Sequence, residues 1–131
     1  MQTRDQKLAV KAFGRVEDLQ RRFPDEDSLE RKKYGAMAHK LPVLIRSAGL
    51  AQALGFLQAK SSESMNRQLL EDLASSLDLT SNELMTQSRG GYGQSLGDYM
   101  RLTREALAAL LWYKRFAQSV LGVDQSQQLG D

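Results

Sequence analysis

Few side chains in this 131-residue sequence are of a type that could perform covalent or metal chemistry. There is one histidine, His39, and no cysteine. A zinc site built on His39 would lack its other ligands. No serine–histidine–acid arrangement is marked by spacing. His39 is expected on a helix surface near Pro42, with no catalytic task. Glu71, Asp72 and Asp78 could be imagined around a metal ion in a small nuclease, but acidic residues on a solvated helix explain them better. The stretch Ser88-Arg89-Gly90-Gly91-Tyr92-Gly93-Gln94 sets Arg and Tyr beside glycine, as in RNA-binding tracts where both stack on bases. A single copy reads first as a loop that turns the chain. It is no phosphate loop, because no Gly-Lys-Ser/Thr follows it and no strand precedes it. No residue pattern asks for a cofactor.

What the spacing does mark is positive charge. Arg4, Lys7, Lys11 and Arg15 recur at steps of three and four, so they share one face of a helix about 5–6 Å apart. Like charges at that spacing repel slightly, so helix stability gives no reason for them. A phosphate backbone would give one, through counterion release. A plain solvated face, with long stems covering apolar surface, is the alternative. Arg31, Lys32 and Lys33 point three ways on a helix, so at most two join one patch. The net charge is only +2, but residues 1–60 hold 12 basic and 7 acidic side chains, whereas residues 61–131 hold 6 and 9. Such a division suits a polyanion on one side, or copies stacking head to tail in a heterologous contact. It is equally what unevenness among solvated helices produces.

The elements that must position these charges are all helical. No segment alternates apolar and polar residues with β-branched side chains, and Val, Ile and Thr are scarce. The expectation is an all-α fold: a single compact bundle of about six or seven uneven helices over residues 1–122, with 123–131 a disordered polar tail. Residues 3–23 form the first helix, capped by Thr3 and buried along Leu8, Ala12, Val16 and Leu19. Asp27 and Glu30 form a capping box for the next. The most apolar stretch, Lys33 to Phe56, should lie at the centre. Pro42 is expected to bend or restart its helix and Gly49 to close it in the left-handed conformation. Gly35, Gly49 and Gly55 mark close contacts or caps. Lys60 to Ser64 is a polar hinge before a helix from Ser64 to Leu77. Thr80 with Glu83, and Ser95 with Asp98, box the last two helices. The final helix, Ser95 to Leu121, is apolar around much of its circumference and carries Arg101, Arg104 and Arg115 near one face. Trp112 is either core or an interface anchor, and Gly122 is the C-cap. No apolar run reaches the roughly 18–20 residues of a membrane span, and the N-terminus lacks the apolar centre of a signal peptide. A cytoplasmic protein is expected.

The central stretch goes further than composition. Lys33-Tyr34-Gly35, then Ala38, then Leu41-Pro42-x-Leu44-Ile45, then Gly49-Leu50-x-Gln52-x-Leu54-x-Phe56, resembles the signature of the small subunit of the Cmr complex, the type III-B CRISPR RNA-silencing effector. The resemblance implies a non-catalytic helical protein whose copies stack into a short filament. That filament would lie beside the backbone subunits and line the groove where guide RNA pairs with target RNA. The signature residues Tyr34, Gly35, Leu41, Pro42 and Gly49 read as shaping the bend, not as touching RNA. The RNA-contacting candidates are therefore the basic side chains Lys7, Lys11, Arg15, Lys32, Lys40 and Arg46. The partners implied are other effector subunits, further copies, guide RNA and target RNA, with no membrane and no small-molecule substrate. The alternatives are a free-standing helical DNA-binding regulator or a protein-interaction adaptor. The Leu-Pro bend, set in apolar sequence, offers no polar base readers for the first of these.

Overall fold

The computed structural model describes residues 1–60 and 63–125, and among these every regular element is an α-helix. The order is α1 (Arg4–Arg22), α2 (Leu29–Ala48), α3 (Leu50–Ala59), α4 (Ser64–Ser76), α5 (Ser81–Ser88) and α6 (Leu96–Ser119). No helix of the described residues is long and apolar enough to cross a membrane.

Side chains start four of the helices. Thr3 with Gln6, Thr80 with Glu83 and Ser95 with Asp98 form reciprocal capping boxes at α1, α5 and α6. The start of α2 differs from expectation. Ser28, not Asp27, is the cap, and its hydroxyl accepts from the Arg31 N–H. Glu30 turns back onto the Ser28 hydroxyl at 2.9 Å, while the Asp27 N–H is held by Asp25 at 2.9 Å. The acidic turn closes on itself and leaves the shorter serine nearest the helix.

The expected break at Pro42 does not occur. Helix α2 runs unbroken for 20 residues with Pro42 inside it. An interior proline costs about 3 kcal/mol. Against that, Tyr34, Ala38, Leu41, Pro42 and Ile45 are all buried in a helix that packs on α3, α4 and α6, and tertiary burial of one face commonly outweighs a local cost. The chain leaves α2 at Gly49. Its φ of 90° and ψ of 160° lie outside the left-handed helical region, in backbone space that is essentially glycine's. Its N–H still donates to the Ile45 carbonyl at 2.9 Å. Of the other two glycines, Gly35 marks a close contact, since a Cβ there would lie 2.5 Å from the Cβ of Val123; at Gly55 nothing lies within 4 Å.

The long helix α6 packs against α1, α2, α4 and α5. It buries Leu102, Ala106, Ala109, Leu110, Tyr113 and Ala117 but leaves Met100 and Leu111 exposed, so it is not wrapped all round. Gly122, at φ 72°, turns the chain back after α6, and the Val123 N–H donates to the Ala117 carbonyl at 2.8 Å. Val123 is buried, so the described chain stays on the body for at least one residue past Gly122. Residues 126–131 of the expected tail, and Ser61 and Ser62 of the expected hinge, lie outside the described residues.

Candidate nucleic-acid interface

Helical rotation does bring Arg4, Lys7, Lys11 and Arg15 onto one face of α1, but that face looks onto carboxylates. Lys11 pairs with Asp78 at 2.6 Å, Arg4 pairs with Glu105, and Arg15 lies 3.6 Å from Asp72 and donates to Ser75 at 2.7 Å. The Asp78 carboxyl is held below its usual range, first by the hydrogen bond from Lys11 and then by the charges of Lys11 and Lys7. The charge of this row is largely answered from α6, α4 and the Asp78 turn. Asp78, which takes a positive φ of 60°, ends up 67 residues from its lysine partner, a pairing no local pattern announces.

The α2 candidates are arranged differently. Lys32 lies 3.8 Å from Asp27 and the neighbouring Lys33 lies 3.5 Å from Glu63, both at the N-terminal end of the helix. Further along, Lys40 and Arg46 flank Val43, which is 53% exposed. The Lys40 ammonium stands 5.2 Å from the centroid of the Phe56 ring on α3, and the Lys60 ammonium stands 4.7 Å from the same ring. Lys60 and Phe56 are not among the candidates that the sequence marks. One signal could have found them: residues 31–62 contain six Lys or Arg and no Asp or Glu.

Two of the α6 cations are engaged on their own helix. Arg101 donates to Asp98 at 2.7 Å and Arg115 lies over Trp112 at 4.9 Å. Trp112 itself is half-buried in the seam with α1. It stacks on Phe116, which meets Phe13 edge-on, and its N–H donates to Asp5 at 3.0 Å.

Three polar side chains are inside, His39 and Asp72 against expectation. Arg31 is 3% exposed and its guanidinium is held by carbonyls: Phe23 and Pro24 after α1, Val120 and Leu121 after α6. A cation placed at two helix C-termini meets the negative ends of both dipoles. His39, expected near a surface bend, is also buried, with Nε2 2.9 Å from the Val123 carbonyl. His39 stands one turn after Gly35, which also meets Val123, so this side of α2 faces the end of α6. Gln20 adds a bond to the Val120 carbonyl, so side chains from α1 and α2 satisfy carbonyls that α6 leaves open. Asp72, on α4, is 1% exposed. Tyr34 donates to it at 2.6 Å and Gln68 at 2.9 Å. Burial raises its pKa, against the lowering effect of those two bonds and of Arg15. The Tyr113 hydroxyl lies 2.9 Å from the Asp72 carbonyl and 2.7 Å from Ser76. Burial raises both phenols, Tyr34 and Tyr113, so each stays protonated and able to donate. Glu71 and Asp78 are not buried while Asp72 faces the core, so the three acids do not converge. Among the described residues no group of three His, Cys, Asp or Glu is placed to hold a metal ion.

Residues 4–120 match the model of the family described as CRISPR-associated protein (Cas_Cmr5). The chain belongs to that family. It is 40% identical over 121 residues to the protein named CRISPR system Cmr subunit Cmr5 of Thermus thermophilus, covering 92% of this chain and 98% of that one. The crystal structure of a CRISPR-associated Cmr5 family protein from Thermus thermophilus superposes with a TM-score of 0.78 at 41% identity, over 92% of this chain and 98% of the other. The resemblance carried by residues 33–56 thus extends over the whole helical body. The Cmr5-like signature residues have structural places here, and Gly49 separates α2 from α3. Tyr34 tethers Asp72, Gly35 admits Val123, and Leu41 and Pro42 are buried in α2.

Proposed function

We propose that this chain is the small subunit of a type III-B (Cmr) CRISPR effector, that it works in the cytoplasm and has no catalytic task there, and that its copies stack into a short filament beside the guide RNA–target RNA groove. The observation that carries this is the family match over residues 4–120 together with a relative of nearly the same length that is named a Cmr subunit. The chain's contribution would be shape and charge. Its helices offer cations to RNA phosphates without reading bases, with Lys7, Lys11, Arg15, Lys32, Lys40 and Arg46 as the contacts. The half-buried Trp112 and Phe116 and the exposed Phe13, Leu111 and Met100 supply apolar surface for neighbouring subunits.

The test is co-assembly. The chain is expressed with the gene products encoded beside it and a guide RNA, and the purified particle is weighed by native mass spectrometry. Several copies in one RNA-bearing particle is the expected result. A chain that stays apart from such a particle would sink the reading.

A further inference from the structure

Helix α6 has a face turned away from the body of the protein. We infer that this face is the seat of an acidic amphipathic helix contributed by a different protein chain, and not by a second copy of this one. The inference rests on the functional reading above, in which α6 meets a neighbouring subunit, and says what that neighbour presents.

At about 100° per residue, Leu96, Leu107, Met100 and Leu111 fall within about 60° of arc on α6, turned away from Leu102, Ala106 and Tyr113, which enter the core. Leu96 is 75%, Met100 51% and Leu111 41% exposed, and Leu107 is half-buried. Steps of four and seven are those by which one helix receives another along a seam. From Leu96 to Lys114 this seam is about 27 Å long, or about five turns. Its border is cationic. Arg104, Lys114 and Arg115 lie within about 60° of Leu111, and no Asp or Glu shares the arc. Among the described residues none of the three meets a carboxylate: Arg115 lies over Trp112, and the other two have no ion-pair or hydrogen-bond partner.

An apolar seam with a cationic border fits a helix that has an apolar stripe and carboxylates beside it. An uncharged helix would cover the leucines but leave the covered cations unpaired, which is costly. A phosphate backbone would answer the cations but give Leu96, Met100 and Leu111 no apolar partner. Two copies joined α6 to α6 would set three cations from each together with no carboxylate between them. Nor does another helix of this chain offer the complement. Val10 and Phe13 on α1 stand before Glu17 and Asp18, both of which Arg21 holds. Val43 on α2 stands between Lys40 and Arg46, and Leu29 is a single exposed leucine beside the acidic turn.

The test uses the full-length chain, whose only tryptophan, Trp112, adjoins the seam. The chain is labelled with nitrogen-15 and titrated with a synthetic helical peptide of about 18 residues, enough for five turns. The peptide has leucine along one stripe and glutamate beside it; a second peptide has lysine for each glutamate. Binding is read from amide shifts and Trp112 fluorescence. The glutamate peptide is expected to shift amides in residues 96–115 and to bind about tenfold more tightly than the lysine peptide. Arg104→Glu with Lys114→Glu should reverse that preference, a gain of binding that an unfolded variant cannot produce. Equal binding of the two peptides, no binding of either, or an oligouridylate that moves the same amides at lower concentration than the glutamate peptide would overturn the assignment. Co-assembly is read separately. In the reconstituted particle a carbodiimide joins the Lys114 amine to a carboxylate that it touches. Coupling to a subunit other than this chain is expected; coupling only to another copy, or to nothing, defeats the face and not the effector reading. A chain that stays out of the particle defeats the effector reading, and the peptide titration then decides the face by itself.

Discussion

Helices α1 and α2 are nearly equal in length, at 19 and 20 residues, and both are rich in cations, yet they use them in opposite ways. Helix α1 keeps all its cations at the surface and answers three of them with acids from other elements, Glu105, Asp78 and Asp72. Helix α2 sends one cation, Arg31, and the histidine inward, where carbonyls and not carboxylates receive them. Of the lysines it leaves outside, Lys32 and Lys33 meet acids near its start, and Lys40 meets an aromatic ring. The lesson is that density of positive charge along a helix says little about what the charge is for. The partner decides, and the partner comes from elsewhere in the chain.

The sharpest way to break this contrast is to remove the inward cation. Arg31→Ala leaves carbonyls of Phe23, Pro24, Val120 and Leu121 without their buried donor. It should cost about 3 kcal/mol of stability, seen as a lower midpoint in urea unfolding. A loss below about 1 kcal/mol would mean that Arg31 behaves like a surface residue and that the contrast with α1 is false.

Tyr34→Phe comes next. It removes one hydroxyl from a fully buried position and leaves Asp72 short of a donor, for an expected loss of about 2 kcal/mol in the same urea measurement. The same acid meets Arg15 of α1, so Asp72 is where the two helices share a charge.

Its titration gives a smaller and more specific effect. Burial raises the Asp72 pKa above that of an ordinary aspartate, so the native state holds that proton more tightly than the unfolded state does. The stabilisation from the protonated form is complete below the unfolded pKa and is lost as pH rises through the raised native pKa. Asp72→Asn has no such proton. The stability of the natural chain relative to Asp72→Asn should therefore fall as pH rises from about 3.5 and level off above the native pKa. Paired urea unfolding curves across that range measure it. A flat difference would show that the Asp72 pKa is not displaced on folding.

The smallest effect is expected on α1. Lys11→Ala removes an ion pair whose lysine is 40% and aspartate 83% exposed, and it should change stability by no more than about 0.5 kcal/mol. A thermal melt that drops well beyond this would show that the α1 pairs are structural.

Much of the fold is legible because its causes are local. Thr3, Thr80 and Ser95 announce their helices through side-chain bonds three residues away, and the apolar stripe of α1 repeats within the helix it buries. Gly49 is legible as a stop for the same reason, though its backbone is more extended than the left-handed turn expected. Pro42 misleads because its local penalty is real but is outweighed by burial in a helix that packs on α3, α4 and α6. His39 and Arg31 mislead for another reason: their acceptors are carbonyls as far as 84 and 90 residues away.

By itself, then, the order of residues determined that this chain is all helix, where the capped helices begin, that its apolar centre lies between Lys33 and Phe56, and that its family could be recognised there. These depend on side-chain period, caps and turn residues, which act over a few positions. Only the tertiary structure decided which cations meet carboxylates and which gather on an aromatic ring, and which polar groups close the end of α6. Those outcomes depend on pairings such as Lys11 with Asp78 and Arg31 with Leu121, separated by 67 and 90 residues, whose energies exist only once the helices have packed.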